Sequence, residues 1–341
     1  MAKKKKRRSR GKTIVRVILV LVGVVVLLVG GLLAVAMISD YRPEAVIALE
    51  TNGKADVDKI EIGREYTLTT FNTGYCGLGK DEDFFIDGGK NSGAQTEDEV
   101  LDNLNNILSF VKQSDSDFLL LQEVDESAKR SFKVNQRQHF EMLEGYASSF
   151  AINYKVLYVP IPLSRPMGGV LGGILTLSRV QPTGAERYTF DGSESFPVQL
   201  FELDRCFTVT RFDTDNDRQF VLVNAHFSAY DKGGAVRTQQ LEQMKEFAAA
   251  EYALGNYGII GGDWNNELPG TDSANYEWRG EYPEWCMKLP EDFVIEGYSW
   301  AADPYTPTCR DNRTNYKPGE SFVVTLDGFL VSDNISVTAV Q

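Results

Sequence analysis

Histidine is almost absent: only His139 and His226 occur in 341 residues. The four cysteines, Cys76, Cys206, Cys286 and Cys309, lie far apart and form no Cys-x-x-Cys pair. A structural zinc site built from thiolates and imidazoles is therefore not expected. Isolated cysteines permit disulfides in an oxidising compartment and equally permit free buried thiols. No internal repeat and no second Pro/Gly/Ser-rich linker is present, so one domain from about residue 60 onward is the simplest division. Positive charge is scarce beyond the N-terminus. Nine of the 35 Lys+Arg fall in residues 1–16, which leaves 26 against all 48 Asp+Glu, a net of −22 for the rest of the chain. Such a body repels polyanions, so no stable nucleic-acid partner is expected, and phosphate chemistry would need a local cation. What is plentiful is apolar: 43% hydrophobic and 11% aromatic residues suit a packed globular body and exclude a wholly disordered one.

Residues 17–38, VILVLVGVVVLLVGGLLAVAMI, carry no charge. As a helix the run is roughly 33 Å long, enough to cross a hydrocarbon core of about 30 Å. Ala34-Val35-Ala36 resembles a signal-peptide cleavage site, but the run exceeds the usual signal-peptide core. The expected organisation is a basic cytoplasmic tail (1–16), a single transmembrane anchor (17–38), a tether with a leading strand (39–62) and a domain (63–341) outside the cytoplasm, at the cell membrane.

Within that domain, β-branched and aromatic runs predict strands at 66–72, 118–121, 151–159, 173–177, 199–212, 219–225, 257–261 and 322–331. A capping box at Thr96–Glu99 opens a helix with Val100, Leu104, Ile107, Leu108 and Val111 on one face. A second helix over 235–252 aligns Leu241, Met244, Phe247 and Ala248, and a third carries His139. Strand pairs without an intervening helix, mixed with strand–helix alternation, predict an α/β fold: a two-sheet mixed β sandwich flanked by helices. The acidic segment 213–217 lacks the Gly and Glu that a calcium loop needs and reads as a hairpin turn.

Polar residues gather where strands end. Asn72 closes the first strand; Gln122-Glu123 follows 118–121; Asn224-Ala225-His226 ends the next apolar run; Asp263 and Asn265 follow Ile259-Ile260; Asp327 interrupts the last strand. Carboxylates, amides and an imidazole at five strand ends are what a site on one rim of a sheet requires.

The motifs TFNTGY, LLLQEVD, GGILTLSR, VNAHFS, GGDWNN and TLDGFLVS stand in order across residues 66–334. In this order they resemble the endonuclease/exonuclease/phosphatase superfamily, which includes exonuclease III-like enzymes, pancreatic-type deoxyribonucleases, inositol polyphosphate 5-phosphatases and neutral sphingomyelinases. The N-terminal run suggests a membrane-anchored, bacterial-type member. The resemblance implies that Glu123 binds Mg²⁺ (with Mn²⁺ as a substitute) beside Asn72, whose amide oxygen would suit that hard ion. It implies that Asp263 activates water, that Asn265 holds phosphoryl oxygens, and that His226 stabilises transition-state charge. Asp327 would orient a second histidine. Asn153, Tyr154 and Arg179 would contact substrate, with Arg165 and Arg237 as further phosphate partners.

The implied activity is hydrolysis of a phosphodiester or phosphomonoester in nucleic acid, a phospholipid headgroup or a small phosphoester. One element of the family pattern is missing: the second histidine, in a Ser-Asp-His after the strand holding Asp327, has no counterpart, since no histidine follows His226. The expectation is a natural chain that continues past Gln341. The alternative is a catalytically inactive relative acting as a binding protein.

Overall fold

The structure, a computed structural model, describes residues 10–231 and 233–341. Most of the predicted basic tail, residues 1–9, lies outside the described residues. The chain divides into two units, up to Asp40 and Tyr41–Gln341. In the first, α1 (Arg10–Ser39) is a single helix, long and apolar enough from Gly11 to Ser39 to cross a membrane, with a mean hydropathy of 3.2. Among the described residues it already includes the seven positions before the apolar run, because lysine and arginine are good helix formers and nothing there ends the pattern.

The body contains, in order, β1 (Val46–Ala48), β2 (Thr51–Gly53), β3 (Leu68–Asn72), α2 (Glu97–Ser114), β4 (Phe118–Ala128), α3 (Gln136–Glu141), β5 (Ala147–Val159), β6 (Gly168–Ser178) and β7 (Gly184–Thr189). It continues with β8 (Cys206–Asp213), β9 (Gln219–His226), α4 (Ala235–Ala253), β10 (Tyr257–Asp263), β11 (Tyr298–Ala301), β12 (Cys309–Arg310), β13 (Val323–Val324) and β14 (Asp327–Ser332). A seven-stranded sheet, β1-β7-β8-β9-β10-β14-β11, faces a five-stranded sheet, β2-β5-β6-β4-β3. Both are mixed: β3–β4 and β9–β10 are parallel and the other pairs antiparallel. The two-sheet mixed sandwich expected from the sequence is the observed architecture.

The run Phe118–Leu121 shows why these strands read as continuously apolar. Successive side chains of a strand point to opposite faces. Phe118 and Leu120 enter the inter-sheet core with Phe212, Phe220, Leu222, Ile259 and Val331. Leu119 and Leu121 turn outward to Val100, Leu104 and Val111 of α2. On the far face of the larger sheet, Leu241, Met244 and Ala248 of α4 cover Val209, Val221, Val223 and Ile260.

Several boundaries differ from the sequence reading. The tether is woven into the body: β1 pairs with β7, β2 with β5, and Val57 and Ile60 bridge Val180 and Thr214. Three-residue edge strands are too short to display a period, as is β11 on the other edge. The strand predicted over 199–212 begins only at Cys206, after a 3₁₀ turn at Val198–Leu200. The strand predicted over 322–331 is two pieces, β13 and β14, parted at Thr325-Leu326. The segment 213–217 is the β8–β9 hairpin turn, in which the Thr214 hydroxyl donates to the Arg218 carbonyl at 2.6 Å. His139 is exposed on α3, and all four cysteines are unpaired.

Candidate active site

Parallel pairing places the C-terminal end of β3, Asn72, beside Gln122 midway along β4, and the C-terminal ends of β9 and β10 side by side. The antiparallel β14 then sets its first residue, Asp327, opposite Asp263, while His226 is Asp263's partner on the other side. Asn72, Glu123, His226, Asp263, Asn265 and Asp327 all line one cavity of about 410 Å³. The sequence reading grouped these six, and the fold brings them together.

Glu123 sits at a break in the β4–β6 register between Leu121 and Val124, with φ +54°, a left-handed value uncommon for a non-glycine residue. The Thr73 hydroxyl, 3.0 Å from both the Gln122 and Glu123 carbonyls, holds this kink. The kink leaves the Glu123 side chain 23% exposed at the rim of an otherwise buried strand. Asn72 joins the two carboxylates: its Nδ2 donates to Glu123 Oε1 at 3.1 Å and to Asp263 Oδ2 at 2.8 Å. Its Oδ1 accepts from the Gly74 N–H at 2.9 Å, which fixes the orientation of the amide. The amide oxygen expected to face a metal thus faces the loop, and the nitrogen faces the carboxylates.

Asp263 is reached through Gly262, whose φ of +140° and position leave no room for a side chain: a Cβ there would lie 2.0 Å from the Ala225 carbonyl oxygen. Asp263 Oδ1 accepts the Asn265 N–H at 2.9 Å, and Asn265 Nδ2 donates to the Phe227 carbonyl at 2.8 Å. The fully buried Trp264 stacks on Phe227, at 4.8 Å between centroids, and donates to the Gly328 carbonyl. These contacts lock the Gly-Asp-Trp-Asn turn. Burial pushes Asp263 up to about 6 and the charge of Glu123 adds to this, against the hydrogen bonds from Asn72 and Asn265.

His226 Nε2 lies 3.8 Å from Asp263 Oδ2 and 3.9 Å from Glu123 Oε1, beyond hydrogen-bond range of either. Its buried Nδ1 has no partner. Burial, reinforced by the charges of Arg205 and Arg130, holds the imidazole well below its usual range and so neutral near pH 7. Asp327 has an unpartnered, inaccessible Oδ1. Burial and then the Asp263 charge push its carboxyl well above the carboxylate range. The Thr308 hydroxyl accepts the Leu326 and Asp327 N–H groups at 3.0 and 3.1 Å and fixes the strand start.

The three predicted substrate contacts do not join this group equally. Tyr154 lines the cavity, with its hydroxyl donated to the Phe201 carbonyl at 2.9 Å. Asn153 is buried at an irregularity of β5 and lies outside the cavity lining. Arg179 is at the wrong end of the molecule. Because β6 runs antiparallel to β4, its last residue pairs with Phe118, on the rim opposite Glu123. There Arg179 pairs with Asp115 and covers the Tyr146 ring. Arg165 is spent on the Ala94 carbonyl and Gln95, and Arg237 supports the Asn265 carbonyl from outside the cavity at 3.1 Å.

Sequence reasoning missed other residues of the cavity lining. Arg130 is buried, bound to Asp125 at 2.9 and 3.1 Å, and sandwiched by Tyr75 and Tyr154 at 4.0 and 5.4 Å from their centroids. Tyr230 donates to Asp87 Oδ1 at 2.6 Å. Arg205 lines the cavity with a buried Nη1 that has no partner. The only signal for Arg130 was Asp125, a carboxylate inside an apolar strand and in need of a counter-ion.

Residues 69–332 match the model of the endonuclease/exonuclease/phosphatase family. Among solved structures, the chain resembles ANGEL2, described as a 2',3'-cyclic phosphatase, at 16% identity over 85% of this chain and 87% of that one, with a TM-score of 0.50. It also resembles truncated Caenorhabditis elegans TDP2, at 14% identity over 79% and 84%, with a TM-score of 0.48. No curated protein matches it in sequence. With the family's match running through nearly every element that builds the rim, the chain belongs to the endonuclease/exonuclease/phosphatase family.

Proposed function

We propose that this chain is a Mg²⁺-dependent phosphoesterase, anchored by α1 in the cell membrane with residues 1–16 in the cytoplasm and the body outside. The observation that carries the reading is the constellation itself. A neutral imidazole lies within 4 Å of two carboxylates that share one amide donor, and a third carboxylate sits opposite. Crowded carboxylates with no cationic side chain bonded to Glu123, Asp263 or Asp327 among the described residues favour a cation between them. No group of three ligating side chains gathers among the described residues. Mg²⁺ keeps several waters and is held by one or two carboxylates. Glu123 would hold it, with Asn72 orienting the carboxylate. The ion's contribution would be to offset negative charge on the phosphoryl oxygens.

The chain's own residues supply the rest. Asp263, half-protonated at about pH 6, is placed to orient a water and take its proton above that pH. Neutral His226 donates an N–H to a phosphoryl oxygen, and Asn265 offers its amide beside it. Water adds to phosphorus, the ester oxygen leaves and takes up a proton, and the products are an alcohol and a phosphate. The substrate is a phosphodiester or phosphomonoester.

The unpartnered Asp327 Oδ1 favours one rival, a binding protein without turnover, since no imidazole faces it among the described residues. The full chain, incubated with DNA, RNA, sphingomyelin and inositol phosphates, each with Mg²⁺ or chelator, decides between them. Mg²⁺-dependent product release that Asp263→Asn abolishes supports the enzyme. Binding of one substrate without release supports the rival.

A further inference from the structure

Three arginines line the cavity, Arg130, Arg205 and Arg310, and no lysine does. Two of them are committed within the protein. Arg130 is held by Asp125. Arg310 donates to the carbonyls of Gly79, Glu82, Asp311 and Thr314 at 2.8–3.2 Å. Arg205 differs: its Nη1 is buried and has no hydrogen-bond partner among the described residues. A guanidinium keeps its charge at any working pH, so it cannot escape the cost of burial by losing a proton. A buried N–H of this kind calls for an acceptor. Two more unpartnered donors, Tyr75 Oη and Trp285 Nε1, belong to the same lining. Such a lining fits a ligand rich in acceptor oxygens.

Strand register sets Arg205 in the row of reacting groups. In the larger sheet β14, β10, β9 and β8 are successive neighbours. At one rim Asp327 pairs with Asp263, and Asp263 with His226. β8 runs antiparallel to β9 with Phe207 opposite Ala225, so Arg205 stands one residue past the level of His226. Its backbone is pinned there. The Arg205 carbonyl accepts the Phe190 N–H at 3.0 Å, and Arg187 Nη2 donates to the Asp204 carbonyl at 2.9 Å. Burial and then the Arg205 charge hold the His226 imidazole down, and the same charge opposes the effect of burial at Asp263. On its own loop Glu202 feels it too, raised by burial and lowered by Arg205, but the two form no ion pair among the described residues. With His226 neutral and the other two arginines committed, Arg205 is the cation of this lining that can meet an incoming anion.

We propose that Arg205 binds a non-bridging oxygen of the phosphoryl group that His226 also contacts, and turns that group toward Asp263. The planar fork can grip such oxygens with two parallel N–H bonds, and its pinned backbone needs little reordering to do so. The proposal rests on the phosphoesterase reading for the reaction, but on the placement of Arg205 alone for the anion.

The test uses the full chain in detergent with Mg²⁺, inorganic phosphate as the probe, and the variants Arg205→Met, Arg205→Lys and Arg179→Met. The last removes the same charge on the opposite rim. In a calorimetric titration Arg205→Met should weaken phosphate binding about tenfold or more, the scale of one charge-assisted hydrogen bond. Arg205→Lys should fall between it and the parent, since it keeps the charge and loses the fork, and Arg179→Met should match the parent. Because Nη1 has no partner in the protein, Arg205→Met should leave the unfolding midpoint without phosphate no lower, and should shrink the rise that phosphate gives the parent. On bis(p-nitrophenyl) phosphate, whose one anionic group is the reacting one, Arg205→Met should lower kcat/KM by about 10². Unchanged phosphate affinity, or no phosphate binding by the parent, overturns the assignment. So does an equal fall in unfolding midpoint for the Met and Lys variants, which marks a structural role. A loss confined to inositol phosphates also overturns it, because Arg205 would then read a second anionic group. A parent that binds phosphate through Arg205 yet hydrolyses neither substrate leaves the anion contact standing and refutes the phosphoesterase reading instead.

Discussion

Asp263→Asn should make the metal-free protein more stable while destroying its turnover. The residue is 6% exposed and its carboxyl is pushed up from 3.8 to about 6. A folded-state value above the unfolded one means that the protonated form is the better accommodated. Stability from this group is full below about pH 4 and is lost as pH rises through about 6. By pH 7.5 the loss amounts to about 3 kcal/mol. Asparagine keeps the shape and removes the charge. Its carbonyl can accept from Asn265 N–H or from Asn72 Nδ2, but not from both at once, and the mismatched pair returns about 1 kcal/mol of the gain. The expected net effect is about 2 kcal/mol of added stability at pH 7.5, shrinking to nothing or reversing at pH 4. Denaturant unfolding of the full chain in detergent with chelator, at both pH values, measures it. Turnover with Mg²⁺ should fall by about 10² or more. A variant less stable than the parent at pH 7.5, or an advantage that persists unchanged at pH 4, would refute the reasoning.

Glu123→Gln should weaken Mg²⁺ binding about tenfold or more in a calorimetric titration, with little change in unfolding midpoint. His226→Ala should lower kcat by about 10² and leave KM within a few-fold, because the imidazole acts on developing charge. Gly262→Ala should cost more than about 3 kcal/mol in denaturant unfolding, since the positive φ and the Ala225 carbonyl both oppose a side chain. Asp125→Asn strands the buried Arg130 charge and should cost about 3–5 kcal/mol, whereas Asp125→Asn with Arg130→Met should recover much of it; a double-mutant loss equal to the sum of the two single losses would show the pair to be uncoupled.

The central strands were legible because they are buried on both faces, as Phe118–Leu121 shows, and an unbroken apolar run needs no partner to announce itself. The candidate rim was legible for a related reason: Glu123, His226 and Asp263 are the first ionisable residues after such runs. What the sequence could not show was direction. GGILTLSR ends at Arg179 whichever way β6 runs, and only its antiparallel pairing sends that arginine to the far rim. Nor could it show which end of an amide faces the carboxylates; Asn72 is turned by the Gly74 N–H, a contact of backbone geometry. Arg130 and Arg205 reach the cavity from segments with no motif, so their role is purely tertiary. Edge strands of three residues leave no pattern to read.

Those edge strands bear on how the chain is made. β1 closes one edge of the seven-stranded sheet and β2 one edge of the five-stranded sheet, although only two residues separate them. They leave the ribosome before any other part of the body, yet β5 and β7, their partners, follow much later. The stretch after α1 must therefore wait, extended, until most of the body has been synthesised, and its docking is a late, long-range step of the kind that slows folding. A protease that cuts just after Gly53 during this interval would leave both sheets with an open edge, whereas a cut ahead of Tyr41 would leave both edge strands on the body.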